Sequence, residues 1–330
     1  MTAETFPTDQ VVAAYDLGLQ RMVLENPNAG TIVSAAANLL INGSVSRPLW
    51  DRLQGHIMDE SNRIAQSNQD SSDAIVLREA LGRHLLDPST GSLQTRNVGP
   101  YIAAHFPLRG LKPLRTGNDE INELFMPFDD TAFHYDKVTD EVFTTFTFGG
   151  YEVSMLPNKF PFTANHTLVV PNIHSKIPQY LTPEFHKFAH AFVNAAPEGS
   201  VLGFNARGGY SSVNQLHFHL LLQYGLLPFD VWSMPYDYPA KHQQFTSPNA
   251  TEEAGSYIAE LNRSAKESYN VIYTHDKIIV FTRPYQDPKG LPQWTAGFGY
   301  HELGGTINTS SPHALYGLSV LAINNAMRNP

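Results

Sequence analysis

Two histidines and an amide, each two residues apart, define the chemistry to look for. In the stretch FNARGGYSSVNQLHFHLLLQ, residues 204–223, Gln215, His217 and His219 alternate with Leu216, Phe218 and Leu220. Such alternation is the period of a strand with one face on a core. On that strand Gln215, His217, His219 and Leu221 share one face, and Leu216, Phe218 and Leu220 the other. Imidazole can attack phosphorus at neutral pH if one ring nitrogen is free and the other donates to a fixed acceptor. That acceptor sets the tautomer and supports the imidazolium as it develops. Just upstream, Arg207, Gly208 and Gly209 make a turn whose backbone N–H groups could approach phosphate oxygens. Ser211, Ser212 and Asn214 add short polar side chains beside it. The pattern predicts the catalytic strand of a nucleotide-handling enzyme.

Other chemistry fits parts of this pattern. A single histidine on a strand is most often a hydrogen-bonded structural residue. Two histidines at i, i+2 also suit a metal, with His166, His174, His186 and His190 as further donors by number. His186 and His190 are four apart on one predicted helix, but no HExxH pattern accompanies them. Neither a metal nor another cofactor is expected.

The chain around this stretch has 330 residues, 42% apolar and 16% charged, as in an ordinary globular protein of one or two domains. It contains no cysteine, which removes disulfides, thiolate nucleophiles and cysteine-based zinc sites. A net charge of −9 argues against nucleic acid as a partner, because that needs basic surface. A local cluster of donors can still hold a small anion. The first ten residues, MTAETFPTDQ, carry no signal-peptide pattern, and no apolar run reaches membrane-spanning length. A cytoplasmic protein without membrane partners is expected.

Helical spacing predicts a helix over Asp9–Glu25, capped by Thr8 or Asp9, and two more over Pro48–Ala65 and Ser72–Leu86. The polar run Ser67–Ser72 links the last two, and Ile32–Ile41 reads as helix or strand. Residues 1–95 are thus a mainly helical region, a candidate dimerisation element or lid, in which Asp59 and Glu60 read as solvated charges. Residues 96–330 carry the strands. Glu141–Phe148 and Tyr151–Leu156 form a hairpin through Gly149-Gly150. Thr167–Val170 is a strand, Thr182-Pro183 opens a helix running to Ala195, and Val201–Asn205 is a strand. Beyond Pro228 the chain reads as irregular. A second hairpin through His275-Asp276 and a closing helix over Leu315–Met327 follow.

The glycine turn and histidine strand resemble the histidine-triad superfamily, whose motif is H-φ-H-φ-H/Q-φ-φ. The order Asn205…Gly208…Ser212…Asn214…His217 is similar to the branch of GDP-L-galactose and GDP-D-glucose phosphorylases, which reads NSLGAFASxNHLHFQ there. Further similarity lies in Pro157–Pro161 through His166 to Pro171, in Leu227–Val231, and in Met126–Asp129 followed by Phe133–Lys137. It covers about residues 100–285. The branch is related to galactose-1-phosphate uridylyltransferase and diadenosine tetraphosphate phosphorylase. The resemblance implies an α+β fold, with a HIT-like antiparallel sheet carrying the catalytic strand and flanking helices. It implies that His217 attacks the α-phosphorus of a nucleoside diphosphate sugar, with inorganic phosphate as acceptor. It places Asn158, Lys159 and Phe160 at the nucleotide, and Asn205, Gly208 and Ser212 along the phosphates. Gln215 stands where the branch has its first histidine. His219 stands where transferases usually have glutamine and hydrolases histidine. A hydrolase, or a nucleotide-binding protein without turnover, therefore stays open beside the phosphorylase.

Overall fold

A computed structural model describes residues 6–43, 47–67, 71–113, 120–232, 237–328 and 330. The helices α1 (Thr8–Leu24), α2 (Ala29–Asn42), α3 (Arg47–Ser67), α4 (Ser72–Gly82) and the short α5 (Pro88–Gly91) come first. A hairpin of β1 (Gln94–Val98) and β2 (Tyr101–His105) follows, then a hairpin of β3 (Thr144–Phe148) and β4 (Tyr151–Pro157), then β5 (His166–Pro171). Next come α6 (Pro183–Ala195), β6 (Val201–Asn205), β7 (Phe218–Leu221), β8 (His242–Phe245), α7 (Ala250–Ser264), β9 (Ser268–Tyr273) and β10 (Ile278–Arg283). The chain ends in α8 (Tyr300–Leu303), β11 (Thr306–Asn308), α9 (Pro312–Gly317) and α10 (Val320–Arg328).

Among the described residues, eight strands form one antiparallel sheet in the order β3-β4-β5-β7-β6-β9-β10-β8. The fold is α+β with flanking helices, as expected. A smaller sheet, β1-β2-β11, pairs β11 in parallel with β2. Leu216, Phe218 and Leu220 belong to the same apolar cluster as residues of α1–α4, α6 and α7, so those helices share one core with the large sheet. Leu221, from the opposite face of β7, packs in a second cluster with Ile307 and Met327 of the C-terminal elements. The parity read from the sequence therefore holds across β7.

Local rules account for several elements. Gly149 and Gly150 turn the β3–β4 hairpin at φ +61° and +78°, where side chains are disfavoured. Thr182 Oγ1 caps α6 by accepting the Phe185 N–H at 3.4 Å, with Pro183 in the first turn. Ile32–Ile41 is the buried α2, capped by the Asn28 side chain.

Four expectations are corrected. Glu60 is buried, not solvated: Oε1 accepts the Ala29 N–H at 3.1 Å, meeting an orphan donor in the first turn of α2, and Arg63 pairs with the carboxylate at 2.7 Å. The segment after Pro228 is not wholly irregular, because α7 lies within it and buries Ala254, Ile258 and Leu261. The closing helix is broken. Leu318 is extended and buried, and the Ser319 hydroxyl then accepts the Ala322 N–H to start α10. Finally, the β7 ladder begins only at Phe218. Ahead of it, the Leu216 N–H bonds to the Ile177 carbonyl at 2.8 Å and the His217 N–H to Gln179 Oε1 at 2.9 Å. Pro7 holds the N-cap position of α1, while the side chains of Thr8 and Asp9 and residues 68–70 of the Ser67–Ser72 link lie outside the described residues.

Candidate active site

His217 sits where the chain enters β7 and is buried. Its Nδ1 lies 2.7 Å from the Gln215 carbonyl oxygen, which can only accept, so Nδ1 carries the hydrogen and Nε2 keeps its lone pair. Burial pushes its pKa down to about 4, against the opposing pull of that carbonyl. The ring is therefore neutral at pH 7. Tyr135 meets it edge-on, with centroids 5.1 Å apart. The main chain around His217 is clamped by Gln179, a buried residue whose importance the sequence did not signal. Gln179 Oε1 accepts the His217 N–H at 2.9 Å, and its Nε2 donates to the carbonyls of Asn205 at 2.8 Å and His217 at 3.3 Å.

A relay of fixed direction runs from the β4–β5 loop to His219. The Phe160 N–H donates to Asn158 Oδ1 at 2.9 Å, which orients that amide. Asn158 Nδ2 then donates to His166 Nε2 at 3.2 Å, making Nε2 an acceptor. His219 Nδ1 lies 2.9 Å from the same nitrogen and must therefore be the donor. His219 is left with an unprotonated Nε2. Burial, reinforced by neighbouring positive charge, holds both His166 and His219 well below the usual imidazole range. On the neighbouring strand Gly203 is paired with His219, and any side chain there would run into the Tyr300 ring, which lies 5.4 Å from the His219 ring.

Two hollows meet at this point. The larger, about 340 Å³, is lined by Arg109, Lys112, Asn158, Phe160, Phe162, Asn205, Tyr210, Ser212 and His219, and on its far side by Thr295–Gly297, Gly299–Glu302 and Asn308–Ser310. The smaller, about 60 Å³, is lined mainly by Phe133, Tyr135, Val138, Leu156, Leu168 and Val213, with Glu141, Lys159 and His217. Lys112, Asn158, Phe160, Ser212 and His219 line both. Lys159 bridges Asp73 at 2.8 Å and Glu141 at 2.7 Å, and these carboxylates keep it charged despite burial. Two carboxylates share one ammonium, and burial pushes the deeper one, Glu141, up to about 7.

Of the predicted residues, His217, His219, Asn158, Lys159, Phe160, Asn205 and Ser212 line these hollows. Gln215, Arg207, Gly208, Gly209, Ser211 and Asn214 do not. Gln215 uses its side chain to accept the Tyr135 N–H and donate to the Ile173 carbonyl, each at 2.7 Å; its link to His217 is its own carbonyl. Arg207 pairs with Glu123 at 3.4 Å. The glycines serve packing, since a Cβ at Gly208 would lie 2.5 Å from Tyr285 and one at Gly209 2.8 Å from the Tyr269 carbonyl. Ser211 donates to the Val213 carbonyl at 3.1 Å, and Asn214 ties Gln179 to the Met126 and Pro127 carbonyls. Arg109 and Lys112 were missed; a basic pair three residues apart, in and just after the turn that follows β2, in an acidic chain was the available signal. Arg109 Nη1 donates to the Phe160 carbonyl at 2.7 Å. His186 bonds to Tyr273 and Thr251, and His190 to Thr251. Among the described residues, no three His, Cys, Asp or Glu converge as metal ligands.

Comparison with known proteins bears on this segment. Residues 97–221 match the family model described as GDPGP1-like, N-terminal domain. GDP-D-glucose phosphorylase 1 from Danio rerio is 30% identical over 122 residues, 36% of this chain and 35% of the relative. The chain thus spans about a third of the length of the curated relative it matches. Among solved structures, yeast Ap4A phosphorylase Apa2 in complex with Ap4A is similar over 76% of this chain and 92% of its own, with a TM-score of 0.51 and 17% identity. Asn158, His166, Gln179, His217 and His219 all fall inside the matched segment, whereas Tyr300, Glu302 and Asn308 lie beyond it. Residues 97–221 are thus similar to the GDPGP1-like N-terminal domain, and the α+β fold is shared with the yeast Ap4A phosphorylase.

Proposed function

We propose that this protein is a nucleotidyltransferase of the phosphorylase type, acting on a nucleoside diphosphate sugar. The observation that carries the reading is His217, a neutral imidazole with Nδ1 fixed on the Gln215 carbonyl and the ring lining a hollow. In the first step its Nε2 lone pair attacks the α-phosphorus. The bond from that phosphorus to the bridging oxygen breaks, and sugar 1-phosphate leaves with the electron pair. Inorganic phosphate then attacks the nucleotidyl-His217, the P–N bond breaks, and nucleoside diphosphate is released. Arg109 and Lys112 at the hollow offset charge on the phosphoryl oxygens. Asn158, Asn205 and Ser212 supply short polar contacts, and the apolar smaller hollow suits a nucleobase.

Incubation with a panel of nucleotide sugars, with and without phosphate, tests this. Phosphate-dependent release of nucleoside diphosphate supports it, and full turnover by His217→Ala removes it. A second reading, hydrolysis, is favoured by the unprotonated His219 Nε2, which can accept a hydrogen bond from water. Release of nucleoside monophosphate without phosphate would select it. The small soluble reactants fit a cytoplasmic protein, and among the described residues no helix is long and apolar enough to cross a membrane; recovery in the membrane fraction would contradict this. A homodimer formed through Val12, Leu17 and Leu24, exposed on α1, belongs to the same reading; a monomer mass by light scattering removes it.

A further inference from the structure

The β4–β5 loop, residues 158–165, brings Asn158 and Phe160 to the larger hollow and starts the relay to His219. It is irregular, and Asn165 at its end holds a left-handed φ of +53°. Something must fix it. Two asparagines one turn apart on α2 reach its two ends, from a helix that precedes the GDPGP1-like domain. Asn38, fully buried, donates from Nδ2 to the Asn158 carbonyl at 2.9 Å and the Ser34 carbonyl at 2.8 Å. Its Oδ1 accepts the Tyr15 hydroxyl at 2.7 Å, which fixes the amide's direction. Asn42 Oδ1 accepts the Asn165 N–H at 3.1 Å, and its Nδ2 donates to Asn165 Oδ1 at 3.3 Å. Asp73 on α4 adds a third hold through Lys159.

We propose that Asn38 and Asn42 are positioning residues for the transfer at His217: the N-terminal helices hold the loop that sets the direction of the Asn158–His166–His219 relay. This rests on the nucleotidyltransferase reading. A loop held at only one end would let the Asn158 amide rotate or shift, and a displacement of about 1 Å near a reacting centre can cost up to about a hundredfold in rate.

The test compares Asn42→Ala, Asn42→Asp and Asn38→Ala with the parent full-length chain. Turnover uses GDP-D-glucose and inorganic phosphate, alongside melting temperature and hydrogen exchange of the Phe160 and Asn165 amides. Asn42 is half-buried, so its loss should leave the melting temperature within about 2 °C. Asn42→Ala should lower kcat about tenfold or more and speed exchange of both amides about tenfold. Asn42→Asp keeps the acceptor for the Asn165 N–H and, once the Asn165 amide turns its Nδ2 toward the carboxylate, should recover most of both. Asn38→Ala should act in the same direction and also lower the melting temperature. Unchanged kcat and unchanged loop exchange in Asn42→Ala overturn the proposal, and so does a kcat loss that only follows the melting temperature. If the parent turns over no nucleotide sugar, the functional reading falls, while loop exchange still decides whether α2 holds the loop.

Discussion

His217 owes its reactive form to its surroundings rather than to a charged partner. The Gln215 carbonyl fixes the tautomer, and burial keeps the ring unprotonated down to about pH 4. Protonation would consume the attacking lone pair, so the acid limb of kcat/KM should lie near 4 to 5 rather than near the ordinary imidazole value. A profile in which activity halves near pH 6.5 would contradict that assignment. His217→Asn should retain the fold and lose on the order of a thousandfold in kcat. Gln179 acts at one remove, clamping backbone groups of Asn205 and His217. Gln179→Ala strands these buried groups and should lower stability by about 1–3 kcal/mol, read by urea denaturation, while also lowering kcat. Destabilisation without a kcat effect would make Gln179 a structural residue only.

The elements deliver these side chains through close strand contacts. Gly203 on β6 pairs with His219 on β7 and leaves room for the Tyr300 ring beside it. Gly203→Ala would force that ring out of a packed site, at a cost of about 1–3 kcal/mol, and should impair turnover even at a temperature where the variant is folded. Full activity in a folded Gly203→Ala chain would show that Tyr300 has no bearing on His219. Elements made by neighbouring residues were readable in the sequence. The Gly149-Gly150 hairpin follows from a turn needing positive φ, and α6 from the Thr182-Pro183 start. The α7 helix was legible too, since Ala250, Ala254, Ile258 and Leu261 keep helical spacing, but the aromatic residues ahead of it masked the pattern. The wall from Thr295 to Ser310 was not legible. It reaches the site because β11 pairs with β2 across some two hundred residues, and no local pattern encodes that pairing. Glu60 was misread for a related reason: its partner, the start of α2, is thirty-one residues away in the chain.

The whole molecule carries a pH signature built from its buried imidazoles. One apolar cluster joins α1–α4 to the large sheet, so opening that core exposes the site along with the helices. His166, His186, His217, His219 and His301 are all pushed below the ordinary imidazole value, chiefly by burial. For His186 and His217 the folded value is about 4, whereas an unfolded histidine titrates near 6.5. Between those limits the unfolded chain binds more protons than the folded one, so stability rises with pH across this window. It is fully present above about pH 7 and lost as pH falls toward 4. His186 and His217 each account for a loss on the order of 3 kcal/mol at the acid end. Glu141 works the other way: its value is raised to about 7, so its folded form favours the proton and its contribution weakens as pH rises through the same range. One carboxyl against six imidazoles, since burial also lowers His190, leaves the histidines dominant. The urea midpoint should therefore fall steeply from pH 7.5 to pH 5, with more than one proton taken up on unfolding. His186→Gln, away from the proposed chemistry, should flatten that slope by about one proton while leaving the acid limb of kcat/KM in place. A midpoint that stays level from pH 7.5 to pH 5 would mean that these imidazoles titrate in the folded protein much as in the unfolded chain, and would remove the acid limb near 4 to 5 assigned to His217.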